Sequence, residues 1–168
     1  MDVMAARDRV FRTLDADGDG VITRDEYLTR PDRAAARLGR GVNDPLVAVA
    51  RSRHQRVYDS MDADGDGRVT LREYAAWAGA HTFDDVCRPA LGSLFDLADT
   101  DGDGMLDREE FTRLREVLGN SAGNAGEAFD ALDADGDGRV DRDEYLSAIR
   151  AFVSEGASPM YDALVAVR

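Results

Sequence analysis

A twelve-residue string recurs four times along this chain, and any admissible fold must accommodate all four copies. Residues 15–26 read D-A-D-G-D-G-V-I-T-R-D-E and residues 62–73 read D-A-D-G-D-G-R-V-T-L-R-E. Residues 99–110 read D-T-D-G-D-G-M-L-D-R-E-E and residues 133–144 read D-A-D-G-D-G-R-V-D-R-D-E. Each copy has acids at positions 1, 3 and 5, Gly at 6, an apolar residue at 8 and Glu at 12. Three short carboxylates at alternate positions converge only if the backbone curls around one point. Gly at 6 permits the bend, because it has no Cβ to forbid unusual φ/ψ.

A set of oxygen donors of this kind suits a hard cation. Ca²⁺ takes roughly 6–8 oxygens at about 2.3–2.6 Å, and the spacing matches the EF-hand calcium loop. The candidate ligands of the first loop are Asp15, Asp17, Asp19, Val21, Thr23 and Glu26. Those of the second are Asp62, Asp64, Asp66, Arg68, Thr70 and Glu73. The third offers Asp99, Asp101, Asp103, Met105, Asp107 and Glu110, and the fourth Asp133, Asp135, Asp137, Arg139, Asp141 and Glu144. Position 7 serves through its backbone C=O, so its side chain is free to vary. Position 12 needs Glu, whose length lets it reach back with two oxygens. The apolar residues at position 8 (Ile22, Val69, Leu106 and Val140) are expected to pair two loops by a short β-like contact.

Two other motifs share part of this string. A haloacid dehalogenase nucleophile also sits in D-x-D-G, but at the end of a strand and once per chain. Here the preceding residues are helix-periodic and the motif recurs. Dockerin loops usually close with Asp at 12 and lack a full entering helix, whereas this chain closes with Glu each time.

The charge follows from the loops. The chain of 168 residues has a formal charge of −13. Eighteen carboxylates lie at positions 1, 3, 5, 9 and 12 of the loops, and without them the balance would be +5. The acidity is therefore ligand acidity, and self-repulsion in the metal-free protein is expected to be relieved by metal. The same charge argues against binding nucleic acid or an anionic membrane. A single cysteine, Cys87, rules out an intrachain disulfide. There is no signal-peptide pattern at the N-terminus and no stretch of about 18 apolar residues, so a cytoplasmic location is expected. All 21 basic residues are Arg, which reads as GC-biased coding and suggests a bacterial source.

Helical periodicity predicts a first helix over 3–14, and an exit helix from loop 1 ending near Pro31. An extra helical piece is expected over 32–38. Asp44 is expected as the N-cap of a helix starting at Pro45 and running into loop 2. A helix over 71–78 follows, then a capped start at Thr82, with Pro89 either kinking that helix or marking its true beginning. Loop 3 is expected to exit through Phe111 and Leu114 to a stop at Gly119-Asn120. A short helix over 122–132 then enters loop 4. A helix through Phe152 leaves loop 4, and a separate amphipathic segment is expected over 160–167. An aromatic precedes each loop by four residues (Phe11, Tyr58, Phe95, Phe129), and another follows it directly (Tyr27, Tyr74, Phe111, Tyr145). All eight are expected in the core.

The loops begin at intervals of 47, 37 and 34 residues, the first lengthened by the bend between Pro31 and Pro45. With that long first interval and a segment after the last hand, the chain resembles the sarcoplasmic calcium-binding proteins, including calexcitin and the bacterial calerythrin. The resemblance implies an all-α fold. Four EF-hands would pack as two pairs in one globule, with short β pairing between loops and the extra helical piece between hands 1 and 2. It also implies a cytoplasmic buffering or signalling role. Residues 1–80 are expected to form the first pair, and residues 81–168 the second pair with the terminal segment. Many members of that family lack ligands in one loop, whereas all four are intact here.

A sensor exposes an apolar, often Met-rich groove when calcium binds. Of five Met residues, only Met61 and Met160 could face one, which favours a buffer, with a target-binding sensor as the alternative. Residues 160–167 are expected to occupy the chain's own cleft. Loops 3 and 4 carry a fifth acid and are expected to bind more tightly, and to accept Mg²⁺ when Ca²⁺ is scarce. A monomer is expected, with no protein target identified. Neither His54 nor His81 has partners spaced for catalysis, so no enzymatic activity is expected. His54 is expected at the surface, His81 in a linker, Cys87 half-buried, and Arg51, Arg53 and Arg56 on a solvated face.

Overall fold

Six of the described helices begin where a short polar side chain accepts from a free amide of the first turn. In the computed structural model, which describes residues 2–118 and 122–156, Asp2 caps α1 (Val3–Leu14) by accepting from the Ala5 amide at 2.8 Å. Loop 1 follows, with β1 (Val21–Thr23) at its end, then α2 (Arg24–Leu28) and α3 (Arg30–Arg37). The expected piece over 32–38 therefore starts two residues earlier. Pro31 lies in its first turn, where a missing N–H leaves no bond unmade. The left-handed Gly39 (φ +74°) follows the end of α3.

Asp44 then caps α4 (Pro45–Met61), as its sequence indicated, by accepting from the Leu46 amide at 2.9 Å. Loop 2 carries β2 (Arg68–Thr70) and exits through α5 (Leu71–Trp77). The capped start expected at Thr82 is not formed. The helical path begins at α6 (Ala80–Thr82), and Thr82 has helical angles (φ −62°, ψ −37°). Its hydroxyl donates instead to the Trp77 carbonyl at 2.7 Å. The path continues through a π-helical turn (Phe83–Cys87) into α7 (Arg88–Ala98). The cause is Pro89, which lacks an N–H and would press on the carbonyl four residues earlier. A wide turn relieves both problems, and Pro89 lies in the first turn of α7, at the beginning its position suggested, while the helical path before it stays unbroken.

The second half repeats the scheme with β3 (Met105–Leu106), α8 (Arg108–Val117), a 3₁₀ turn (Ala122–Asn124), α9 (Ala125–Leu132), β4 (Val140–Asp141) and α10 (Arg142–Glu155). Gly156, left-handed at φ +71°, closes α10. The stop expected at Gly119-Asn120 and the segment expected over 160–167 lie outside the described residues.

Two antiparallel pairings join the loops, β1 with β2 and β3 with β4. Ile22 faces Val69, and Leu106 faces Val140, as the position-8 pattern required. The eight flanking aromatics are all buried, and they pair across hands. The ring before one loop meets the ring after its partner loop: Phe11 with Tyr74, Tyr58 with Tyr27, Phe95 with Tyr145, and Phe129 with Phe111. Their centroids are 5.6–5.9 Å apart. One core cluster unites Phe11, Tyr58 and Tyr74 of hands 1 and 2. The other unites Phe95, Phe111 and Tyr145 with Ala34, Leu38, Val47 and Ala50. The extra piece α3 and the start of α4 thus pack on hands 3 and 4, joining the halves in one body. Arg40, after α3, completes the join by donating to the free carbonyls of Asp96, Leu97 and Asp99 at the end of α7.

Candidate metal centres

In all four loops the same side chains fold the backbone around the same point. The carboxylate at position 1 accepts from the amide of position 5 at 3.0–3.2 Å and from the glycine amide of position 6 at 2.9 Å. Position 3 also accepts from the amide of position 5, at 3.1–3.2 Å. Position 5 accepts from the amides of Val21, Arg68, Met105 and Arg139 at 2.8–3.0 Å. Glycines at positions 4 and 6 are left-handed throughout, for example Gly18 (φ +73°) and Gly20 (φ +92°). A side chain with a Cβ would be strained there.

This folding brings carboxylate oxygens within 4.8 Å of one another in each loop. In loops 1 and 2 they come from Asp15, Asp17 and Asp19, and from Asp62, Asp64 and Asp66. In loops 3 and 4 the closing glutamate is part of the group: Asp99 and Asp101 with Glu110, and Asp133 and Asp135 with Glu144. The donors are oxygens alone, the set a hard divalent cation prefers, so the residues present fit Ca²⁺.

Positions 9 and 12 also build the exiting helices. Thr23, Thr70, Asp107 and Asp141 are N-caps, each accepting from the amide of its loop's glutamate at 2.8–3.3 Å. The glutamates return the bond to the position-9 amide at 2.7–3.0 Å, completing four capping boxes. In three loops the other glutamate oxygen reaches the start of the loop. Glu26 accepts from the Asp17 amide, Glu110 from the Thr100 amide and Glu144 from the Ala134 amide, at 3.0–3.2 Å. The residue that would close the metal site therefore also starts the helix leaving it.

Electrostatics differ between these acids. Burial works against the Glu26 carboxylate, but hydrogen bonds from Thr23, Asp17 and Ala16 outweigh it and hold its pKa below the usual range. Burial raises the Asp99 pKa, and the hydrogen bond with Asp101 and the charges of Asp103 and Glu110 add to the effect. Such a group gains most from a divalent cation.

Other residues depart from expectation. His54 is buried, not at the surface, because it lies on the α4 stripe with Ala50, Val57, Tyr58 and Met61. Its Nδ1 lies 2.7 Å from the Ala50 carbonyl, and its ring packs on Tyr27. Burial lowers its pKa to about 4, and the Arg30 charge adds to this. His81 is exposed beside Asp85, within α6. Cys87 is half-buried, as expected, and burial raises its thiol pKa to about 12. Arg51 and Arg56 are exposed, but Arg53 turns inward and donates to the Pro89 carbonyl and the Ser93 hydroxyl. One link had no sequence signal at all: Arg139 of loop 4 forms an ion pair with the ligand candidate Asp103 of loop 3.

The EF-hand domain pair matches the chain three times in overlapping register, over residues 4–79, 51–116 and 88–150. The chain belongs to the EF-hand family. It is a calcium-binding protein, and this family is not one of enzymes. Among curated proteins none matches it. Its EF-hand fold is similar to a Streptomyces coelicolor calcium-binding protein described in terms of prokaryotic calcium-mediated regulation. That match has 26% identity and a TM-score of 0.79, covering 93% of this chain and all of the other. The photoprotein mitrocomin from Mitrocoma cellularia is 22% identical at a TM-score of 0.79, covering 96% of this chain and 90% of its own. Calcium-loaded apo-aequorin from Aequorea victoria is 20% identical at 0.74, with 90% of each chain covered. These likenesses accord with the compact four-hand arrangement that the sarcoplasmic calcium-binding protein resemblance implied. Among the described residues, no helix is long and apolar enough to cross a membrane.

Proposed function

We propose that this EF-hand protein is a monomeric cytoplasmic calcium buffer with four working sites. In each loop the carboxylates at positions 1, 3, 5 and 12 and the carbonyl at position 7 hold one Ca²⁺. Position 9 assists through Thr23, Thr70, Asp107 or Asp141. The observation that carries the reading is the common hydrogen-bonded framework of the four loops, which differs by at most 0.2 Å at each bond from position 1 through position 7. Preformed loops bind without much ordering cost. Residues 1–80 and 81–168 act as two loop pairs, each coupled through its strand pairing. Loops 3 and 4, with the extra acids Asp107 and Asp141, fill first and accept Mg²⁺ when Ca²⁺ is scarce. With its acidic surface the protein binds neither nucleic acid nor membrane.

Buffering over sensing is supported by where the large apolar groups lie. Met61 is buried, and among the described residues the exposed large ones are scattered singly: Met4, Val42 and Val49. The sensor reading is favoured by one observation, the 26% identity to a Streptomyces protein described as a calcium-dependent regulator. Binding of an apolar dye in chelator and in calcium separates the two. A buffer shows no rise in dye fluorescence with calcium. A clear rise identifies a sensor, and its target would then be sought by pull-down in calcium.

A further inference from the structure

Between the two halves lies a constellation that calcium binding does not use. A cavity of about 200 Å³ is walled by Tyr27, Tyr74, Trp77 and Phe83, with Arg30, Arg115 and Tyr145 also facing it. Arg115 is 1% exposed. Its Nη1 donates to the Asn124 carbonyl at 3.3 Å, but its Nε and Nη2 are buried with no hydrogen-bond partner. The Tyr145 hydroxyl is also buried and without a partner. The Arg30 guanidinium lies over the Tyr27 ring at 5.6 Å, and its charge acts on the hydroxyls of Tyr27, Tyr145 and Tyr74.

These groups share one sign. No Asp or Glu is among the described lining residues. Burying a guanidinium with idle donors is costly, and the cost is recovered when an anion completes its bonds. Burial also lowers the pKa of both Arg30 and Arg115, the mark of cations that lack a counter-charge. A second space of about 240 Å³ adjoins the first through Thr13, Leu14, Arg30 and Leu118, and adds Arg33 and Arg37 of α3 against one carboxylate, Glu26. In a chain of charge −13, that is a locally basic approach.

We infer that this cavity binds a small apolar monocarboxylate, with its carboxylate held by Arg115, Arg30 and the Tyr145 hydroxyl and its body against the aromatic wall. The guanidinium fork matches a carboxylate, and pairs with it more strongly than with a neutral oxygen. The volume sets the size of the body. An engineered cavity of about 150 Å³ takes benzene, so this one takes a body somewhat larger than one aromatic ring. This site is separate from the calcium loops, and its test does not depend on whether the protein buffers or senses.

Trp77, the only tryptophan in the chain, lines the cavity and reports on its contents. The calcium-saturated full chain is titrated with 4-phenylbutyrate and with 4-phenylbutanol, following Trp77 fluorescence and heat. The acid is expected to bind one per chain, about tenfold or more tighter than the alcohol. Arg115→Met is expected to abolish that preference with circular dichroism and calcium stoichiometry unchanged, and Arg30→Met provides the same test should Arg115→Met not fold. Three results would overturn the site: no saturable binding of the acid, equal binding of acid and alcohol, or wild-type preference in the folded variants.

Discussion

Arg139 and Asp103 meet across the second loop pair, where a guanidinium holds a carboxylate that belongs to another loop's ligand set. Removing it frees that ligand and deletes a positive charge beside the site. Arg139→Met is therefore expected to tighten calcium binding at loop 3 by up to about fivefold, the scale of an exposed ion pair. Titration in a Glu26→Gln, Glu73→Gln, Asp133→Asn, Glu144→Gln background isolates loop 3, and unchanged affinity would show the pair to be incidental. The closing glutamates test the filling order. Glu110→Gln and Glu144→Gln should remove the tighter calcium steps, and Glu26→Gln and Glu73→Gln the weaker ones. The reverse assignment would contradict the charge argument. At this scale the sequence was legible where chemistry repeats. The positions of the acids, the glycine bend and the position-8 pairing could all be read from spacing. The Arg139 contact could not, since position 7 is free to vary within its own loop. Nor could the buried Arg115, whose apolar surroundings come from both halves of the chain.

At the scale of elements, α4 shows why a polar residue on an apolar stripe is misread. His54 continues the stripe of Val47, Ala50, Val57 and Met61, yet its side chain suggested a surface position. Its folded pKa of about 4 lies below the ordinary 6.5, so between these values the unfolded chain binds more protons. Its contribution is present above pH 6.5 and is lost as the pH falls toward 4, by about 3 kcal/mol in total. In excess calcium, denaturant titrations of wild type should show stability falling across this window, and His54→Gln should flatten the fall. An equal slope in both would place the titrating group elsewhere. The aromatic pairs make a second element-scale prediction. Phe111 is fully buried against Phe129, so Phe111→Ala should lower stability by about 3–5 kcal/mol. Thermal unfolding in calcium measures this. The helix start at Pro45 was legible because Asp44 precedes it, and the start near Val3 from helical periodicity. The unbroken path from Ala80 to Ala98 was not, because a π-turn ahead of Pro89 leaves no distinctive residue pattern.

At the scale of the whole molecule, the four hands form one body because the long first interval is used for packing. Ala34 of α3 and Leu38 just after it lie in the core of hands 3 and 4, and Arg40 binds the end of α7. The number of hands and their pairing follow from the repeat, whereas the cavity between the halves depends on how they dock. The central claim is that all four loops bind calcium. Calorimetric titration of chelator-stripped protein with calcium tests it most directly. Four Ca²⁺ per chain is the predicted result, and a stoichiometry of three or fewer would contradict it.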